Sequence, residues 1–191
     1  SFNGNKIITS GGGGMILTNK KSLALQARYL VNQAKDDDIF FLHNQIGFNF
    51  RLTNIHASLG LAQFAKLKKY LLLKKIIHNK YKKFFKNNKV LKITAAPEYI
   101  ASNYWLNILE INKKLNKNDL LKIIRDLKDL KIETRPLWQL NHNQKMYLKN
   151  QRYKISNINS YYFNRLCLPS SPKMTKNQID YVCKNISRII K

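Results

Sequence analysis

Ser1-Phe2-Asn3-Gly4-Asn5-Lys6, followed closely by Gly11-Gly12-Gly13-Gly14, is the stretch on which the reading of this chain turns. Glycines let a backbone approach a ligand closely, and a lysine amine beside a serine hydroxyl suits a phosphorylated partner, so the segment reads as an anion or cofactor loop. It is not a Walker A loop, because there the lysine follows its glycines and here Lys6 precedes them. Taken alone, the glycines describe a tight turn better than a cradle, Lys6 is one more surface lysine, and Ser1 is an arbitrary serine.

The 191 residues carry 35 Lys+Arg against 10 Asp+Glu, a net charge of +25, with 44% hydrophobic and 11% aromatic residues. That apolar share supports one or two packed domains and excludes a disordered chain. Seven glycines, four prolines and no persistent heptad exclude collagen and coiled coil. No run of about 18 apolar residues predicts a membrane span. Cys167 and Cys183 form neither a CxxC nor a metal-ligand spacing, and two cysteines make no disulfide framework, which suits a reducing, cytoplasmic setting. His43, His78 and His142 have no partner spacing for a metal. With neither a start methionine nor a signal peptide, the sequence reads as starting within a longer protein.

The charge raises a second function class, a basic module that binds nucleic acid or an anionic surface. Only seven of the 35 basic residues are arginine. The other 28 are lysines spread among many Asn and Ile, as AT-rich coding gives, and are densest from Lys66 to Lys86. An RNA reader needs arginine clusters and exposed aromatic platforms, so the lysines are read as a solvated surface.

Met15–Thr18 predicts a short strand, and Leu23, Leu25, Ala27, Leu30, Val31 and Ala34 fit a helix over Lys20–Ala34. Asp36–Asp38 breaks that pattern and Ile39–Phe50 is loop. Thr53 or Asn54 caps a helix that nothing stops before Asn87, about nine turns long. Beyond it come a strand over Asn103–Ile111, a helix over Asp119–Leu130 capped by Asn116, and a strand over Ile132–Arg135 stopped by Pro136. Ser156 or Asn157 starts a helix through Arg165, Leu166–Leu168 is a brief strand, and Thr175 caps a last helix, Gln178–Ile190. The pattern predicts an α/β protein: residues 1–87 ending in a long interdomain helix, and residues 88–191 as a small α/β domain.

With Lys6 in its glycine-rich setting, Ile46-Gly47-Phe48-Asn49-Phe50-Arg51-Leu52-Thr53-Asn54 and the small-residue helix Ala57-Ser58-Leu59-Gly60-Leu61-Ala62-Gln63 complete a resemblance. The chain resembles the C-terminal half of the DegT/DnrJ/EryC1/StrS family, pyridoxal phosphate-dependent sugar aminotransferases of fold type I. Asn103-Tyr104-Trp105-Leu106-Asn107, Arg135-Pro136-Leu137-Trp138, Lys145-Met146-Tyr147 and Leu168-Pro169-Ser170-Ser171 look most like the branch that aminates UDP-4-keto-6-deoxy-N-acetylhexosamines, as in legionaminic acid or bacillosamine pathways.

The resemblance implies the end of a large cofactor-binding domain followed by a small C-terminal domain, with pyridoxal 5'-phosphate as cofactor and a homodimer sharing its active sites. Lys6 matches the lysine that binds the cofactor's aldehyde and moves the proton. Ser1 matches the serine at the cofactor phosphate, and Asn49 the asparagine that reaches the phosphate from the neighbouring subunit. Arg51 either assists there or helps hold the sugar nucleotide; Trp138 is by default a core aromatic, and its place after Arg135-Pro136 makes it a candidate for lining the sugar-nucleotide cleft. The substrates implied are a UDP-linked keto sugar and an amino donor such as glutamate, with no nucleic acid and no metal. Ser10-Gly11-Gly12-Gly13-Gly14 departs from the family's Thr-Gly-Glu-Gly-Gly, and His56 stands where Gln or Asn is common, which makes it a helix residue near the interface rather than a ligand. The family's upstream half supplies the stacking aromatic, the pyridinium partner and most of the large domain's sheet. These residues alone are therefore expected to be inactive, with Leu23, Leu30, Ile55 and Leu59 partly exposed; a catalytically dead remnant has the same sequence signature.

If the lysines are only a solvated surface, titration with RNA or DNA gives weak binding, insensitive to sequence and steeply reduced by salt. Tight binding to one defined sequence at physiological salt would favour the basic module instead.

Overall fold

The structure, a computed structural model, describes residues 1–155 and 162–190. The helix expected to start at Ser156 or Asn157 falls largely outside the described residues. The chain divides into two compact units, Ser1–Tyr70 and Leu71–Lys191. The helix residues after Tyr70 bury Ile77 and Tyr81 in the second unit's core, which Phe85 joins.

In the first unit, α1 spans Lys21–Val31 and α2 spans Asn54–Phe64. The Thr53 side chain caps α2 by accepting from the His56 amide. The nine-turn helix is not one helix: Lys66 N–H donates to Gln63 O, a three-residue step, so the α ladder lapses at Ala65–Lys66 before α3, Leu67–Phe84. Met15–Thr18 forms no strand, because among the described residues no neighbouring strand pairs with it. Ala34 is the buried hydrophobic residue of this unit among the described residues. Leu23 stays 54% exposed and Ile55 80%, Leu59 is exposed and Leu30 half-buried, as expected.

The second unit has a true core. Its sheet runs β1-β2-β4-β3, all antiparallel: β1 Leu91–Ile93, β2 Asn107–Ile111, β3 Arg135–Pro136 and β4 Arg165–Leu168. Alternation along β2 buries Asn107, Leu109 and Ile111, and register sets Leu109 opposite Leu166 on β4 and Ile93 on β1. The stripes Ile77-Tyr81-Phe85, Leu120-Ile123-Leu127 of α4 (Lys117–Asp129) and Ile179-Val182-Cys183-Ile186 of α5 (Lys176–Ile189) join the same core. Each fully buried Leu or Ile contributes about 1.5–3 kcal/mol. Glu110 and Arg165, directly opposed across β2 and β4, pair at 3.1 Å.

Three details of the sheet differ from the sequence reading. β1 has no counterpart there, being only three residues long. β2 starts at Asn107 rather than Asn103, because Tyr104 sits at φ +50° and breaks extended geometry. Pro136 lies inside β3, not beyond it; β3 is an edge strand, where a missing N–H is tolerated. Cys183 is buried in the core, which pushes its thiol up to about 12.

Asn116 and Asp119 form a reciprocal capping box at the start of α4. Asn116→Ala lowers stability by about 1 kcal/mol in thermal or urea unfolding, whereas Asn118→Ala, inside the first turn, changes it much less. Equal losses for the two would show that the box does not anchor α4.

Candidate active site

The glycine loop closes on itself. Phe2 N–H donates to Gly13 O at 3.0 Å and Ser10 N–H to Phe2 O at 3.1 Å, while the Thr9 hydroxyl donates to the same Phe2 carbonyl at 2.8 Å. Gly13 has φ +81°, and a Cβ there would stand 2.7 Å from Leu52 Cδ1. Only glycine fits that close approach without displacing the leucine. The contact sets the loop against the segment ahead of α2, and a cleft of about 1130 Å³ opens along it, walled by Ser1, Gly13, Gly14, Arg28, Arg51, Thr53 and His56 among others.

The Arg51 segment is held to the end of α1 by backbone. Gln33 N–H donates to Phe48 O, Phe48 N–H to Leu30 O and Phe50 N–H to Val31 O, at 3.0, 2.7 and 3.0 Å. A Cβ on Gly47 would overlap the backbone of Gln33 and Ala34, so this crossing requires glycine. Phe48 and Phe50 stack at 5.1 Å beside it.

The cleft gathers Ser1 and Arg51. Lys6 is half-buried, its amide closing a turn onto Asn3 O at 3.0 Å, and Asn49 is exposed, bridged by backbone to Asn32; neither is part of the cleft wall. Two further wall residues are Arg28, which the sequence reading did not single out although its i−3/i+3 neighbours Leu25 and Val31 were an available signal, and His56, which it set aside as a helix residue rather than a ligand. His56 faces Gly11, at 3.6 Å from where a Cβ would stand. Two guanidinium groups, a serine hydroxyl and glycine backbone form a donor set that fits a phosphorylated cofactor. Among the described residues no cluster of His, Cys, Asp or Glu could hold a metal, and no helix is long and apolar enough to cross a membrane.

Trp138 belongs to the second unit, where it is 62% exposed and stacks on Trp105 at 5.4 Å and 29°. Beneath lies a buried polar cluster. Lys74, read from sequence as part of a solvated patch, is only 5% exposed because it shares the core face of α3 with Ile77, His78 and Tyr81. Its Nζ donates to Trp105 O at 3.1 Å and Ser170 O at 2.7 Å, and burial lowers its pKa from 10.5. The Ser170 hydroxyl donates to Leu168 O, so it accepts from both the backbone and the side-chain amide of Asn107. That turns Asn107 Oδ1 toward His78, whose Nδ1 donates to it at 2.9 Å. His78 also packs on the Tyr104 ring at 4.7 Å. The motifs at Asn103–Asn107 and Leu168–Ser171 are thereby tied together.

These features coincide with a clear kinship. The profile of the DegT/DnrJ/EryC1/StrS aminotransferase family matches residues 1–187, and the chain belongs to that family. It is 36% identical over 93% of its length to the Bacillus subtilis (strain 168) protein named "Putative pyridoxal phosphate-dependent aminotransferase EpsN", covering 46% of that protein. It is 31% identical to GDP-perosamine synthase of Escherichia coli O157:H7, over 98% of this chain and 50% of that one. The fold matches that of Helicobacter pylori PseC, an aminotransferase involved in the biosynthesis of pseudoaminic acid, with TM-score 0.85 and 19% identity over the whole chain and 52% of PseC. The fold is thus the α/β fold of type I aminotransferases. The chain spans about half the length of the curated relatives it matches.

Gly47→Ala breaks the α1 crossing: the amides of Gln33, Phe48 and Phe50 exchange at least about tenfold faster in hydrogen-exchange measurements, while Gly4→Ala, with open space around it, leaves them unchanged. Unaltered protection in Gly47→Ala would mean that the crossing is not packed as described.

Proposed function

We propose that the chain is the C-terminal half of a cytoplasmic pyridoxal phosphate-dependent aminotransferase. It moves an amino group, from glutamate, onto the 4-keto carbon of a UDP-linked 4-keto-6-deoxy sugar of the kind used for legionaminic acid or bacillosamine. The observation that carries this is the cleft whose wall, largely apolar but holding Ser1, Arg28 and Arg51, joins the glycine loop to the Arg51 segment, the two stretches that resemble the family. On this reading residues 1–87 complete the large cofactor domain, residues 88–191 are the small domain, and a homodimer shares its sites.

Pyridoxal phosphate, when bound, supplies an aldehyde that takes up amines and a ring that draws electrons from the neighbouring carbon. The chain's residues do the rest. Ser1 Oγ donates to the phosphate, and Asn49 reaches the phosphate held by the neighbouring subunit. Lys6 would be the residue that holds the cofactor through its aldehyde, and its Nζ, as a free amine, would be the base that takes a proton from the donor's α-carbon and the acid that returns one to C4 of the sugar. Arg51 assists at the phosphate or pairs with the diphosphate of the sugar nucleotide, where a fork of donors suits two oxygens. Trp138 lines the sugar-nucleotide cleft.

In the intact enzyme Lys6→Ala abolishes the yellow cofactor absorbance and borohydride trapping; covalent cofactor retained by that variant would refute the role of Lys6. The 191-residue chain alone, given pyridoxal phosphate, glutamate and a UDP-4-keto-6-deoxy-N-acetylhexosamine, yields no amino sugar, and turnover by it would overturn the half-site account. In the intact enzyme the GDP-linked sugar is the competitor, and preference for it would replace UDP by GDP.

A further inference from the structure

β1 lies at one end of the second unit's sheet, with β2 on one side and, among the described residues, no strand on the other. Its register says which of its backbone groups are taken. Thr94 N–H donates to Ile108 O at 2.9 Å and Asn112 N–H to Val90 O at 2.7 Å, so Lys92, midway between, faces Glu110 in a hydrogen-bonded pair. The N–H and C=O groups of Leu91 and Ile93 therefore point away from β2. Asn88 Oδ1 accepts from the Leu91 amide at 2.8 Å, which leaves the Leu91 carbonyl and both backbone groups of Ile93 along the outer edge. A cleft of about 640 Å³ runs past that edge. Its wall takes Phe85 and Ile93 from the core side of the sheet and Lys92 and Glu110 from the opposite side, so it passes around β1 rather than over one face. Four lysines meet there: Lys82 from the last turn of α3, Lys86 and Lys89 from the turn that follows, and Lys92 from β1. Among the described residues none of the four has a carboxylate within ion-pair reach, and Glu110, the acidic residue of the wall, is taken by Arg165.

Lysine on an edge strand ordinarily blunts pairing with other strands. Here it excludes one partner and selects another. A second copy of β1 would set Lys92 beside Lys92, a like-charged cross-strand pair. A strand that carries carboxylates meets the opposite situation: open backbone groups call for an extended chain, and four unpaired ammonium groups call for negative charge. Lys82 is favourable in any case at the C-terminal end of α3, but Lys86, Lys89 and Lys92 have no such reason to gather. We propose that the free edge of β1 docks an extended acidic segment of a partner protein, which adds to the four-stranded sheet as a further strand. Backbone hydrogen bonds hold the segment, and the four lysines select its charge. The surface uses none of Ser1, Lys6, Asn49, Arg51 or Trp138, so it stands independently of the aminotransferase reading.

The probe is a short peptide of alternating Glu and Thr, labelled at one end and titrated with the 191-residue chain by fluorescence anisotropy. It binds saturably, and more weakly as salt rises. Replacing its central Thr by Pro keeps every charge but removes a backbone donor and bars a regular strand, and this weakens binding at least about tenfold. Lys86→Ser combined with Lys92→Ser, both at exposed positions, does the same to the original peptide. Lys122→Ser combined with Lys149→Ser removes equal charge outside the cleft and changes affinity much less. In hydrogen exchange, bound peptide slows the Ile93 amide. Absence of binding, equal affinity for the Pro peptide, or an Ile93 amide that exchanges as fast with peptide as without it, overturns strand addition. Equal losses for the two lysine pairs would show only the chain's net charge of +25 at work and would overturn the site. Displacement of the peptide by a single-stranded DNA of equal charge, at equal concentration, overturns it as well and makes the cleft a nucleic-acid surface.

Discussion

Burial of one face of a four-stranded antiparallel sheet is the constraint on which the second unit depends. Asn107, Leu109 and Ile111 point to that face because β2 alternates, and the helical stripes at Ile77, Leu120 and Ile179 reach the same core. Once β2 and β4 are paired, Asn107 lies opposite Leu168, and the segments flanking both strands are forced together. The polar cluster around Lys74 follows from that register rather than from any local preference of its residues.

The first unit rests on different physics. Its apolar residues, including Met15, Ile16, Leu17, Phe40, Phe41 and Ile55, are exposed, and its shape is held by backbone hydrogen bonds and by glycines at close approaches. A typical intramolecular hydrogen bond is worth only about 0.5–1.5 kcal/mol net, less than a fully buried leucine. Exposed apolar faces of this extent mark interaction surfaces.

The two units also differ in what they expose. Ser1, Arg28 and Arg51 wall the cleft of the first beside glycine backbone and apolar side chains, whereas in the second an exposed Trp138 stacks on Trp105, whose carbonyl accepts from the buried Lys74.

What the sequence determined by itself was local. Thr53, Asn116 and Thr175 were readable as caps because a short polar side chain before an apolar period has few other uses. The Lys6 and Arg51 segments were legible only together and through the family resemblance, since taken alone the glycines describe a tight turn and Lys6 is one lysine among 28. Only tertiary structure decided what depends on distant pairing. Lys74 looked like one more solvated lysine until α3 turned it onto the core face with Ile77 and Tyr81. Pro136 could enter β3 only because that strand is an edge. The lapse at Ala65–Lys66 left no residue-level mark, since a three-residue hydrogen bond in place of a four-residue one needs no glycine or proline. Periodicity records which residues share a face, but what that face meets is settled by strand register and packing, and no window of sequence contains those.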